Sequence, residues 1–126
     1  MKSRLMFPES EIKMNYTYVK DENGKITDIL VNGKPVKRGS IRGFRKAQNT
    51  SYFRLIQGEY PYFNPSSYEV VNLNGLEGTI YGFCLNWMER YEKGFVKLAE
   101  TPIQTYDDMK YFLRELNPDA YMKLID

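Results

Sequence analysis

The chemistry that this sequence offers most clearly is the binding of anions by one basic segment. Between Asp28 and Glu59 the chain has seven basic residues and no acidic one. These seven are Lys34, Lys37, Arg38, Arg42, Arg45, Lys46 and Arg54. Residues 1–28 hold five basic and five acidic residues, whereas residues 59–126 hold six basic and eleven acidic ones. The net charge of +2 therefore conceals a segregated pattern, and the basic stretch suits a phosphate backbone or an acidic protein surface.

Aromatic side chains follow the basic residues closely along the chain. They are Tyr52, Phe53, Tyr60, Tyr62 and Phe63. In proteins that bind single-stranded nucleic acid, such rings stack on bases while Lys and Arg follow the backbone. We therefore predict an anion or nucleic-acid site that adds Tyr52 and Tyr62 to the seven basic residues. A tyrosine-rich boundary of the core is the alternative use of these rings.

A helix over Ile41–Gln48 is predicted in the middle of the basic segment, with Ser40 as its cap. Its basic side chains recur at spacings of three and four, so they share one face. Gly39 and Ser40 would expose backbone N–H groups at the start of this helix, where a phosphate could bind. A solvated basic helix face is the alternative. The segment lacks the spacing of a Walker A phosphate loop.

Few residues are suited to catalysis or metal binding. The chain has no histidine and one cysteine, which removes the commonest general base and the commonest zinc ligands. Cys84 lies on an apolar helical stripe with Ile80 and Trp87, so we expect it to be buried and unreactive. The adjacent acids Asp107 and Asp108 are expected to lie at a helix N-terminus and interact with its dipole. We expect no metal and no cofactor.

The predicted fold class is α+β, with an N-terminal antiparallel β-meander and C-terminal helices. Residues 1–13 are expected to form a loosely ordered arm, and residues 14–126 a single domain. Strands are predicted at Asn15–Lys20 and Lys25–Val31, followed by a short edge segment from Lys34. The Asn-Gly pairs at residues 23–24 and 32–33 favour tight hairpin turns.

Further strands are predicted at Ser51–Gln57 and Ser67–Leu73, separated by an aromatic turn in which two prolines interrupt regular structure. Residues 79–93 fit a helix capped by Thr79, although their alternation also fits a strand. A helix over Tyr106–Leu116 is predicted to start with a capping box at Thr105. A short last helix is predicted to start at Asn117 and Pro118.

These patterns predict a small non-catalytic binding protein of the cytoplasm that contacts a polyanion through segment 34–54 and does not enter membranes. The partner would be nucleic acid or a nucleic-acid-binding protein complex. In the second case the protein would be an inhibitor or accessory protein whose acidic C-terminal half faces a basic channel. The alternatives are an assembly protein that self-associates through a tyrosine-rich surface and a small nuclease-like enzyme.

Overall fold

The computed structural model describes residues 15–96 and 98–125. The described residues divide into two compact units, with the boundary between Val36 and Lys37. An antiparallel sheet lies in the first unit, and helices with a second, two-stranded sheet lie in the other. The predicted α+β class with an N-terminal meander is therefore confirmed. The predicted arm at residues 1–13 lies outside the described residues, and the single domain over 14–126 stays a prediction.

The first unit is a three-stranded meander. Its strands are β1 (Tyr16–Lys20), β2 (Ile26–Val31) and β3 (Lys34–Pro35). They pair in the order β1-β2-β3, and both pairings are antiparallel. Asn32 and Gly33 adopt φ angles of 53° and 82°, the positive values that a tight two-residue hairpin turn requires. The two Asn-Gly pairs therefore mark the turns that they predicted.

The second unit contains four described helices and a hairpin. In chain order they are α1 (Arg38–Ala47), β4 (Tyr60–Phe63), β5 (Val70–Leu73), α2 (Gly75–Glu92), α3 (Ile103–Leu116) and α4 (Pro118–Leu124). α3 packs against α1, α2 and α4, so it is the central helix of the unit. The largest fully buried side chains here include Phe44, Phe83, Trp87 and Phe112, contributed by α1, α2 and α3. Among the described residues, no helix is both long and apolar enough to cross a membrane.

Residues 79–92 belong to the helix α2 and Lys93 is its C-cap, so the strand alternative is wrong. The N-cap of the helix is Asn74, five residues before the predicted cap Thr79, because Asn74 and Glu77 form the capping box. The Asn74 side chain accepts the Glu77 N–H at 2.8 Å, and Glu77 Oε1 accepts the Asn74 N–H at 3.2 Å. Thr79 lies inside the helix, where its hydroxyl donates to the Gly75 carbonyl and accepts the Ile56 N–H. Thr79 therefore anchors a loop to the helix instead of capping it.

Other element boundaries in the second unit also differ from the predictions. Residues 51–57 form a loop instead of a strand, and β4 includes Pro61, which an exposed two-stranded ribbon tolerates. α3 begins at Ile103 after Pro102, so the predicted Thr105 capping box is wrong. The start of α4 is as predicted, because the Asn117 side chain accepts the Ala120 N–H at 3.1 Å.

Candidate anion-binding surfaces

The basic stripe is the exposed face of α1, formed by Arg38, Arg42, Arg45 and Lys46. All four side chains are exposed, and with Ile41 and Asn49 they border a shallow groove of about 350 Å³. The opposite face of the helix buries Gly43, Phe44 and Ala47. The structure therefore brings these four predicted residues together on one helix face, as their spacing indicated.

Arg42 is the one member of the basic stripe that forms an ion pair with a carboxylate in the part of the chain that the structure describes. Its Nε and Nη2 atoms each lie 3.2 Å from Asp108 Oδ2, and Nη2 lies 3.4 Å from Asp108 Oδ1. Arg38, Arg45 and Lys46 form no ion pair with a carboxylate of residues 15–96 or 98–125. Because Asp108 offsets the charge of Arg42, the stripe presents three uncompensated charges instead of four.

The first turn of α1 is held by a carboxylate of the protein itself. Ser40 does not cap the helix, which begins at Arg38. The Ser40 side chain instead donates to Glu115 Oε1 at 2.7 Å. The Lys37 N–H donates to Glu115 Oε2 at 3.4 Å. Glu115 therefore occupies the position where the sequence predicted a phosphate, and Lys37 borders a hollow of mixed charge instead of the basic stripe.

Tyr52, Arg54 and Tyr62 belong to a different surface, which we call the cleft. Its lining is completed by Ser51, Ile56, Gly78, Gly82, Asn86 and Arg90, and its volume is about 460 Å³. Four of these residues recur every fourth position along α2, so they form one face of that helix. Sequence reasoning missed Asn86 and Arg90. The sequence signal that indicates them is the four-residue spacing of Gly78, Gly82, Asn86 and Arg90.

Tyr52 does not offer a free ring to a nucleic-acid base. Its ring stacks on Phe83 with centroids 5.6 Å apart and an interplanar angle of 16°. The Arg90 guanidinium carbon lies 4.8 Å from the centroid of the same ring. Burial raises the pKa of Tyr52, while the charge of Arg90 offsets part of that increase. Tyr52 therefore positions Arg90 through a cation–π contact, where the sequence predicted base stacking.

Tyr62 also lines the cleft. Its ring meets Tyr81 edge-on, with centroids 5.7 Å apart and an angle of 85°, and its hydroxyl end lies over Gly78. Burial raises the pKa of Tyr62, so the side chain is a neutral phenol at physiological pH. The remaining predicted residue, Lys34, is exposed in β3 of the first unit.

The described residues include no group of three or more His, Cys, Asp or Glu side chains that could hold a metal ion. Cys84 is 3% exposed, and burial raises the pKa of its thiol to about 12. The predicted burial of Cys84 is therefore confirmed, and its lack of reactivity stays a prediction.

No protein-family model, curated protein or solved structure matches this chain.

Proposed function

We propose that this protein binds the phosphates of nucleic acid through the basic stripe and acts as a binding protein, not an enzyme. The observation that carries the proposal is that three cations on one exposed helix face, Arg38, Arg45 and Lys46, form no ion pair within the part of the chain that the structure describes. Arg suits this role because its planar guanidinium can bind phosphate in a bidentate manner.

The dimensions of the stripe suit a regular array of phosphates. From Arg38 to Lys46 the helix axis rises by about 12 Å, at 1.5 Å per residue. Over the same length a DNA duplex carries about seven phosphates, one per ~1.7 Å of axis. Each cation can therefore reach a phosphate without sequence-specific contacts, so we expect binding that depends weakly on base sequence.

The test is fluorescence anisotropy with single-stranded and double-stranded DNA and RNA across a salt series. If about three phosphates are neutralised, log K should fall with log salt with a slope of roughly −2 to −3. Failure of the wild type to bind any of the four at low salt, on the order of 50 mM, would exclude direct binding of nucleic acid. In that case we would expect the stripe to bind an acidic surface of a nucleic-acid-binding protein.

The decisive variant combines Arg45→Glu with Lys46→Glu and leaves the Arg42–Asp108 pair intact. It should abolish binding while leaving the melting temperature nearly unchanged, because both side chains are exposed. The matched control combines Lys20→Glu with Lys25→Glu, which makes the same change of net charge at exposed positions of the first unit. Equal loss of affinity in both variants would show that only net charge matters.

One observation favours assembly as a second candidate function. The hairpin of β4 and β5 and its turn expose four large side chains, with relative exposures of 50–77%. They are Tyr60, Phe63, Tyr68 and Val70. Paired apolar side chains exposed on a short ribbon are typical of an interaction surface. Gel filtration over a concentration series should show a larger species if this surface self-associates, and Phe63→Ser with Val70→Ser should remove that species.

A further inference from the structure

Arg54 and Arg90 bring two cations to the cleft without a compensating acid. Arg54 comes from the loop after α1, and Arg90 from the last turns of α2. None of the described residues that line the cleft is acidic, and neither arginine forms an ion pair with a described carboxylate. Glu89 borders a neighbouring hollow, where it pairs with Lys93 at 3.0 Å. The cleft is therefore a concave surface of positive charge.

Two positions of α2 lack side chains in the cleft: Gly82 leaves open space, and Gly78 makes room for the Tyr62 ring. A Cβ atom at Gly82 would meet no atom within 4 Å, whereas one at Gly78 would lie 2.5 Å from the Tyr62 hydroxyl oxygen. Glycine inside a helix costs stability relative to alanine, because the backbone loses more freedom on folding. Any longer side chain at position 82 would extend into the open volume between the two arginines and Tyr62.

The loop and the helix that form the cleft are held together by direct contacts between them. The Ile56 N–H donates to Thr79 Oγ1 at 2.8 Å, and Asn86 Nδ2 donates to the Tyr52 carbonyl at 3.4 Å. The Arg90 guanidinium lies over the Tyr52 ring, which itself stacks on Phe83. A cation–π contact leaves the N–H donors of a guanidinium free to bond an oxyanion, because the ring accepts no conventional hydrogen bond from them.

We infer that the cleft is a binding site for a phosphate monoester of about nucleotide size, separate from the basic stripe. Arg54 and Arg90 would bind the phosphate oxygens, and Ile56 with the Tyr62 ring would contact the apolar part of the ligand. The volume of about 460 Å³ falls within the range of small-molecule sites, roughly 300–1,000 Å³. This inference does not depend on nucleic-acid binding by the stripe. Such a group occurs in free nucleoside monophosphates and at the 5′ end of a nucleic-acid strand.

Isothermal titration calorimetry on the full chain tests the site with adenosine monophosphate, adenosine and inorganic phosphate. The monophosphate should bind, and adenosine, which lacks the charged group, should not. Arg54→Gln and Arg90→Gln should each weaken binding by roughly tenfold or more, because each removes a charge-assisted contact. Lys93→Gln removes the same charge from the surface of α2 outside the cleft and should bind as the wild type does.

Gly82 provides a test that leaves both arginines in place. Gly82→Leu should abolish binding by filling the cleft, whereas Gly82→Ala should weaken it less. If Gly82→Leu does not fold, as judged by circular dichroism, Arg54→Gln in the exposed loop decides the question. A folded Gly82→Leu variant with wild-type affinity would overturn the proposal. So would equal binding of adenosine, or a dissociation constant for the monophosphate above about 1 mM.

Two further experiments identify the source of the phosphate group and test whether the cleft and the basic stripe are separate sites. Tighter binding of a 5′-phosphorylated oligonucleotide than of its 5′-hydroxyl form, lost in Arg90→Gln, would identify a strand end as the ligand. Equal binding of the two oligonucleotides, with the monophosphate still bound, would identify a free nucleotide. The variant Arg45→Glu with Lys46→Glu should retain monophosphate binding even where nucleic-acid binding is lost. Loss of both would show that the cleft is not a separate site.

Discussion

The basic stripe and the cleft present cations to solvent in two different ways. The stripe comes from nine consecutive positions of one helix, 38–46, so the helical repeat alone places its side chains on one face. The cleft combines a loop, β4 and residues 78–90 of α2, so its lining extends from position 51 to position 90. The comparison shows that a local repeat can be read directly from the sequence, whereas a concave site depends on which elements pack together.

The two surfaces also differ in how their arginines are held. In the stripe, Arg42 is held by the carboxylate of Asp108, which offsets its charge. In the cleft, the Arg90 guanidinium lies over the Tyr52 ring and forms no ion pair with a carboxylate of residues 15–96 or 98–125. An arginine held by a ring therefore remains available to an anion, whereas one held by a carboxylate must first exchange partners.

The largest expected effect concerns α3, which packs against both α1 and α2 and so supports both surfaces. Leu113 in this helix is fully buried. Leu113→Ala should lower the free energy of unfolding by ~2–5 kcal/mol, because it leaves a cavity. Denaturant titration measures this loss. Tyr111→Ala, at a position of α3 that is 57% exposed, is the control and should cost much less. A loss below ~1 kcal/mol for Leu113→Ala would contradict a shared core.

Two helical glycines should respond in opposite directions to the same substitution. A Cβ atom at Gly43 in α1 would lie 2.5 Å from Asp108 Cβ, so Gly43→Ala must separate α1 from α3. We expect a loss of ~1–3 kcal/mol from this overpacking. At Gly82 the added methyl group meets nothing, so Gly82→Ala should stabilise the protein by ~0.5–1 kcal/mol through helix propensity. Thermal unfolding of both variants checks the sign, and stabilisation by Gly43→Ala would show that the helices are less tightly packed.

Releasing Arg42 should make the basic stripe more dependent on salt. Asp108→Asn removes the carboxylate that offsets the Arg42 charge, so the salt slope of nucleic-acid binding should steepen by ~0.7–0.9. The loss of the partly exposed ion pair should cost under ~1 kcal/mol. Asp107→Asn is the matched control, because it makes the same charge change at the adjacent position and leaves Arg42 paired. Equal slopes for the two variants would mean that Arg42 does not contact phosphate.

The smallest expected effect is a pH dependence at the start of α2, the helix that forms the floor of the cleft. Glu77 is 5% exposed, and burial raises its pKa above the ordinary value of 4.5, although hydrogen bonds from Asn74 and Asn117 oppose the increase. Between the unfolded and folded pKa values the folded protein binds more protons, so the free energy of unfolding falls as pH rises through that window.

Denaturant titrations of the wild type and of Glu77→Gln from about pH 4 to pH 7 would detect this pH dependence of the free energy of unfolding. The range begins just below the ordinary pKa of the glutamate carboxyl group and extends above it. Glu77→Gln should lack that part of the pH dependence, while the control Glu69→Gln, at an exposed position, should keep it. Identical pH profiles for the wild type and Glu77→Gln would contradict the raised pKa.

Whether a sequence prediction is correct depends largely on how far apart in the chain the interacting residues lie. Asn32 and Gly33 marked a turn correctly, because a tight hairpin needs positive φ values that these residue types adopt readily. The prediction of Thr79 as the cap of α2 is wrong, because the apolar stripe alone does not locate the preceding turn, in which Asn74 and Glu77 form a regular capping box. Ser40 was assigned as a cap because serine is a preferred capping residue, yet its hydroxyl bonds Glu115, 75 positions away.

The sequence by itself therefore determined the meander, the buried face of α1 and the row of cations opposite it, since each depends on residues within about two helical turns or one hairpin. The tertiary structure alone decided which cations remain uncompensated. The close approach of Asp108 to Gly43 places the Asp108 carboxylate beside Arg42, and the packing of the 51–57 loop on α2 places Tyr52 beneath Arg90. Both arrangements depend on which helix faces meet, and no local pattern in the chain encodes such contacts between distant segments.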